Sequence, residues 1–292
     1  MKERFRDKLG LNKFNIVRLG QINSIIDEYS AEGYRLTLRQ LYYQLVSRDI
    51  ITNNQKEYAK LSSLLVKGRM AGEVDWNIIE DRIRMPFIPY WVNDIPDAVQ
   101  DTIDQYRLNR MMNQDVYIEL WVEKDALSGV LKPITSYYHI NLMVNRGYSS
   151  CSAMYDSYKR FSQHYGDKEC HVLYLGDHDP SGLDMDRDIH DRLYEFGVDI
   201  EVERVALTSE QIRKYNPPSN PVKFTDSRAD AYIVQFGKTS WEVDALNPKT
   251  LNTLIRSRIN KLIDVDLFKQ KIDDEEKDKR VLQAFSSKFN KK

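Results

Sequence analysis

Val-Tyr-Ile-Glu-Leu-Trp-Val-Glu-Lys-Asp-Ala-Leu (Val116 to Leu127) and His-Val-Leu-Tyr-Leu-Gly-Asp-His-Asp-Pro-Ser-Gly (His171 to Gly182) are two apolar runs that end in acids, Glu123 in the first and Asp177 and Asp179 in the second. Each run has the length of a buried strand and is followed by a helical pattern, which predicts two strand-to-helix junctions of a parallel sheet. Open α/β sheets bind ligands beyond the carboxyl ends of their strands. The three carboxylates fall there. Alternation along extended chain puts Asp177 and Asp179 on one side and turns His178 away. Clustered carboxylates repel one another unless a cation lies between them, and oxygen ligands of loose geometry suit Mg²⁺. Glu123, Asp177 and Asp179 are therefore candidate metal ligands. The alternative makes Glu123 and Asp179 helix N-caps and leaves the other acid solvated in a loop.

Working outward, the pattern predicts a strand over 116–122, a helix over 125–138, a strand over 141–145 and a helix over 152–164. The second acidic run, a helix over 181–196 and a strand over 198–205 follow. Strands alternating with helices predict an α/β parallel sheet with right-handed crossovers. No glycine-rich phosphate loop, nucleotide fingerprint or His-Glu-x-x-His is present, so ATP use by this chain is not expected. Further on, 216–221 (Asn-Pro-Pro-Ser-Asn-Pro) reads as a loop, and helices are expected over 226–237 and 248–263 and in the charged stretch from Asp264. Glu242 and Asp244 either cap the helix that follows them or add to the metal site; capping is the preferred reading.

Upstream of the sheet the periodicity is helical. Ile16, Leu19, Ile22, Ile25, Ile26 and Tyr29 recur at three and four, Thr37 is placed to cap a helix over 38–47, and Gln55 to Met70 forms a third helix. Three helices with short connections predict a helix-turn-helix bundle. On the third, Lys56, Lys60, Lys67 and Arg69 are spaced to remain outside, as on a helix laid against double-stranded DNA, although an ordinary solvated face has the same spacing. A short helix over 74–84 leads into Met85-Pro86-Phe87-Ile88-Pro89-Tyr90, whose prolines mark a junction between domains 1–94 and 95–292. Another helix is expected over 95–112.

Composition bounds the partners. Residues 1–72 hold thirteen Lys and Arg against seven Asp and Glu, while the whole chain of 292 residues has a net charge of −1. A basic front and an acidic back suit a polyanion-binding part joined to a metal-binding one. No window approaches the roughly eighteen apolar residues of a membrane span, and the N-terminus lacks a signal core, so a cytoplasmic, nucleoid-associated protein is expected. Cys151 and Cys170 have no zinc spacing.

The acidic signatures resemble the Toprim domain of topoisomerases, primases and some nucleases. Glu123 matches its single glutamate, and Asp177 and Asp179 its Asp-x-Asp. More narrowly, Val122-Glu-Lys-Asp-Ala-Leu127, Gly147-Tyr148 and Asp177-His-Asp-Pro-Ser-Gly182 are similar to the A subunit of topoisomerase VI and the related meiotic double-strand-break protein. Thr37-Leu-Arg-Gln-Leu-Tyr-Tyr43 resembles that family's winged-helix segment, with Arg39 on its arginine and Tyr43 on its DNA-cleaving tyrosine. The chain departs at Ser149-Ser150, where the family has Pro-Asp, and carries no ATPase part. The resemblance implies a winged-helix domain before a Toprim domain, Mg²⁺ on Glu123, Asp177 and Asp179, and a homodimer in which each tyrosine works beside the partner's acids. It also implies a B-subunit-like ATPase acting in trans.

These residues predict a chemistry. A tyrosine hydroxyl with a pKa of about 10 is a weak nucleophile, and Arg39, four residues before Tyr43, would share its helix face. The expected reaction is transesterification of DNA to a 5′-phosphotyrosyl link. A Toprim endonuclease that hydrolyses DNA and a non-catalytic DNA-binding protein are the alternatives.

Overall fold

Helix starts in this chain are set by local chemistry. A computed structural model describes residues 2–6, 11–79, 89–145 and 147–286. In it Asn12, Thr37 and Asn54 each accept a hydrogen bond from the backbone N–H three residues on, opening α1 (Lys13–Ala31), α2 (Leu38–Ser47) and α3 (Gln55–Met70). Thr37 and Gln40 form a reciprocal capping box. Leu19, Ile22 and Ile26 of α1 close with Leu41 and Leu45 of α2 and Leu61 and Leu65 of α3 into one core. The short helix expected over 74–84 is absent from its described part. Residues 74–79 run as turns to a bridge between Ile79 and Leu36, and 80–84 lie outside the described residues. The proline segment is described only from Pro89 onward.

Asp94 caps α4 (Ile95–Gln105), which ends seven residues before the expected Met112. The backbone beyond it has another partner. Leu108 N and Arg110 Nη2 both donate to the buried carboxylate of Glu275, each at 3.1 Å, in place of continuing the helix.

The sheet joins β1 (Val116–Val122), β2 (Asn141–Val144), β3 (Glu169–Leu175) and β4 (Glu201–Ala206), all parallel, in the order β2-β1-β3-β4. Its crossovers are α5 (Ser128–Tyr138), α6 (Cys151–Ser162) and α7 (Met185–Glu195). Alternation sorts the side chains. Ile118, Leu120, Val122, Leu173 and Leu175 face α5 and the later α10 (Pro248–Leu262), whereas Trp121, Val172 and Tyr174 face α6 and α7. Both faces are covered, which explains why the strands read as nearly continuous apolar runs.

After β4 come α8 (Ser209–Tyr215), α9 (Ala229–Phe236), α10 and α11 (Val265–Ser286), giving a mixed α/β fold of eleven α-helices among the described residues. The expected loop at 216–221 is partly strand, because β5 (Ser219–Pro221) pairs antiparallel with β6 (Thr239–Trp241). Helix α4 packs on α11, and the helical front packs on the segment between β6 and α10, where Ala245 enters the α1–α3 core. No described helix is long and apolar enough to cross a membrane.

Candidate functional site

Val122 and Leu175 sit opposite each other at the ends of β1 and β3, and β1 has β2 on its other side. Chain order thus reverses between β1 and β3, where a crevice opens beyond the strands. Glu123 follows β1 directly, and Asp177 follows β3 after Gly176. Glu123 Oε2 accepts a hydrogen bond from Asp177 N at 3.1 Å, which ties the two junctions together.

The loop after β3 is pinned on two sides. His178 and Trp241 exchange backbone hydrogen bonds of 2.8 and 3.1 Å, bringing the 241–244 segment against the loop. The buried His178 ring is within 2.8 Å of both Tyr232 Oη and Ser209 Oγ, so it does not line the crevice. Asp179 Oδ1 accepts from Gly182 N at 2.6 Å and from Ser181 Oγ at 3.2 Å, so part of its carboxylate closes the turn. Glu123 caps nothing, because the 3-10 turn Asp125–Leu127 has no side-chain cap.

A cleft of about 820 Å³ runs from this crevice to the helical front, lined by Glu123, Lys124, Asp177, Asp179 and Glu242 on one side and Arg39 and Tyr43 of α2 on the other. Two acids overturn an expectation. Glu242 and Asp244 are not helix caps; α10 is capped by Asn247. Glu242 pairs with Arg39 and, at 2.8 Å, with Lys124 Nζ, and the wholly buried Asp244 lies 3.0 Å from Arg39 Nε. They are drawn in because the His178–Trp241 bridge fixes the segment that carries them.

Glu123, Asp177, Asp179, Asp226 and Glu242 therefore line the cleft with the cations Arg39, Lys124 and Lys223, and the wholly buried Asp244, outside the lining, pairs with Arg39 and Lys124. Burial, then the Asp177 and Asp179 carboxylates, push the Glu123 carboxyl up to about 7. Burial likewise raises Asp177, and it raises Asp244 to about 6. For Glu242 the penalty of burial is outweighed by Lys124 and Arg39, which hold it near 2. Among the described residues, no cation pairs with Glu123 or Asp179.

Tyr43 is buried, and Asn220 Nδ2 donates to its hydroxyl at 3.4 Å. Arg39 lies over its ring at 5.7 Å. Burial, with Glu242 next, pushes the phenol far above its ordinary range, so it is neutral at pH 7. Tyr43 lines the cleft of its own chain, whereas the family resemblance implies a tyrosine beside the partner's acids.

On α3, Lys56, Lys60 and Lys67 are exposed, with Lys60 paired to Glu57 at 2.7 Å. Arg69 differs from its expectation. Its guanidinium is half-buried and donates to the carbonyls of Trp76 and Ile79, fastening the segment after α3.

The donors fit a hard divalent cation in type, being all carboxylate oxygens, two of them on side chains unpaired with a cation among the described residues. They are not gathered around one point: among the described residues no three His, Cys, Asp or Glu side chains are placed to hold a metal ion. Sequence reading missed Lys124, whose signal was a lysine directly after the strand-end acid. It also missed Asn220, which nothing local marks. No family model matches the chain, and no curated protein matches it in sequence.

Proposed function

We propose that the cleft is a Mg²⁺-dependent DNA-cleaving site in which Tyr43 is the nucleophile, on a winged-helix part set against a Toprim-like sheet. One observation carries this reading: Arg39 and Tyr43 line the same cleft as Glu123, Asp177 and Asp179, although these residues lie in segments far apart in the chain. In it Tyr43 Oη bonds to phosphorus, the bond to the 3′ oxygen breaks, and the phenolic proton leaves as the 3′ hydroxyl gains one. Arg39 faces the phosphate from one turn back on α2. Glu123, Asp177 and Asp179 would hold the metal. When bound, Mg²⁺ supplies positive charge to the phosphate oxygens. Lys56, Lys60 and Lys67 would answer the DNA backbone charge.

A second reading, hydrolysis with water in place of the tyrosine, is favoured by the burial of Tyr43 and its raised phenol pKa. Denaturant-quenched incubation with internally labelled supercoiled DNA and Mg²⁺ separates the two. Transesterification leaves label on the protein and loses it in Tyr43→Phe. Hydrolysis leaves free 5′-phosphate ends and survives that substitution.

A further inference from the structure

Lys124 is the least expected member of the site. It follows Glu123 at the end of β1, and its ammonium enters the acidic cluster. Nζ lies 2.7 Å from Asp177 Oδ2, 2.8 Å from Glu242 Oε2 and 3.6 Å from Asp244 Oδ1. The carboxylates come from two separate stretches, the loop after β3 and the segment after β6. Their side chains are largely withdrawn from water, with Asp244 wholly so. Neither oxygen of Asp244 has a hydrogen-bond donor in line, so among the described residues its charge is answered by Arg39 and Lys124 alone. Such a pocket requires a cation.

We infer that Lys124 is a tethered cation filling the position among Asp177, Glu242 and Asp244, so that the cleft accepts one divalent ion, on the Glu123 and Asp179 side, rather than two. The inference rests on the metal reading above. Many phosphodiester-cleaving sites hold two ions about 4 Å apart. Here an ammonium occupies one place and a divalent ion cannot share it. Asp177 shows the division of labour. Its Oδ2 pairs with Lys124, its Oδ1 accepts from Val243 N at 2.9 Å and its N–H donates to Glu123 Oε2, so it stands between the lysine and the place left for the ion, with a lone pair on each oxygen still to offer. Among the described residues neither Glu123 nor Asp179 pairs with a cation, and both line the open cleft.

The closing experiment counts bound Mn²⁺ per chain by titration with EPR detection of the free ion. One ion is expected for the full wild-type chain and one for Lys124→Arg, which keeps the tethered charge. Lys124→Met should bind two, and adding Glu242→Gln should weaken the second at least tenfold. Two ions on the wild-type chain overturn the inference, as does one ion on a Lys124→Met protein with wild-type circular dichroism. If Lys124→Met does not fold, Glu242→Gln alone decides. It should leave the single ion in place, and loss of that ion overturns the inference. No ion on the wild-type chain defeats the metal reading itself. Lys124 then keeps its assignment only if Lys124→Met gains an ion that Glu242→Gln removes, and fails with it otherwise.

Discussion

Arg39 Nε lies 3.0 Å from Asp244 Oδ2, an ion pair that joins α2 to the segment after β6 and whose carboxylate has no exposed surface. Removing one partner of a buried pair leaves an uncompensated charge, at a cost of about 3–5 kcal/mol. The Arg39 side chain is 42% exposed and Lys124 remains nearby, so a smaller loss is expected for Arg39→Ala, about 2–4 kcal/mol. Urea unfolding measures it. Asp244→Asn in the Arg39→Ala background should restore more than half of the loss, and no restoration would remove the pair from the account. Any loss of DNA cleavage in Arg39→Ala must be compared at matched folded fraction, because Arg39 supports the junction as well as facing the cleft.

Glu123 gives a pH dependence. Its carboxyl is raised to about 7, above its ordinary range, so between the two values the folded state binds the proton more tightly than the unfolded chain. Stability is therefore full below pH 4.5 for this group and falls as pH rises to about 7. The loss is on the order of 2 kcal/mol once solvent screening is allowed for. Asp244, raised to about 6, acts in the same direction over part of that window. Without divalent ions, these two carboxyls should lower the urea midpoint of wild type at pH 8 relative to pH 5.5, partly offset by His139, His164 and His178, whose pKa values burial lowers so that they favour the folded state as pH rises. Glu123→Gln should narrow that gap without closing it. Equal gaps in the two proteins would show that Glu123 does not carry the effect.

The strands and capped helices were legible because their signals are local. Thr37 with Gln40 is a capping box readable from four residues, and Val116 to Val122 is an apolar run that only a covered strand explains. The same signal was present but unread at Thr208 and Gln211, which box the start of α8. β5 was not legible. Three residues within a proline-rich stretch show no alternation, and their pairing with β6 spans a whole intervening helix. The end of α4 was hidden for a similar reason, since Glu275 is remote in sequence. The site divides in the same way. Glu123, Asp177 and Asp179 stood at strand ends, whereas Glu242 reaches the cleft, and the buried Asp244 its ion pairs with Arg39 and Lys124, only through the His178–Trp241 bridge.

Within the sheet, Glu119 is fully buried yet ionised. Burial alone would raise its carboxyl, but Arg160 first, then Tyr117 and Trp121, hold it below the usual glutamate range. Arg160 binds it with two hydrogen bonds, Nε at 2.7 Å and Nη2 at 2.9 Å. Arg160→Ala should cost about 3–5 kcal/mol. Glu119→Gln combined with Arg160→Met should cost less than Arg160→Ala, since no charge is then stranded. Because the pKa is depressed, the group's stabilising effect is present above the ordinary glutamate range and is lost as pH falls below it. Chemical denaturation of the three proteins checks the order, and a double variant weaker than Arg160→Ala would contradict it.

Gly182 closes the turn that carries both aspartates. A Cβ there would meet the Asp177 carbonyl oxygen at 2.4 Å and Asp179 Oδ1 at 3.0 Å. The first contact is with backbone, so it cannot be relieved by a side-chain rotation. Gly182→Ala must displace the loop, breaking the 2.6 Å bond from Gly182 N to Asp179 and shifting Asp177 against Lys124. Overpacking of this kind typically costs about 1–3 kcal/mol, which a domain of this size tolerates. Gly182 has no side chain of its own to bind a ligand, so the substitution tests geometry alone. Gly182→Ala is expected to fold, with Mn²⁺ affinity at least tenfold weaker and DNA cleavage reduced in parallel. Gly197→Ala provides the matched control, since nothing lies within 4 Å of its Cβ position and any cost there comes from its backbone angle of 101°. Wild-type ion affinity in Gly182→Ala would mean that the Asp177–Asp179 turn does not set the metal position.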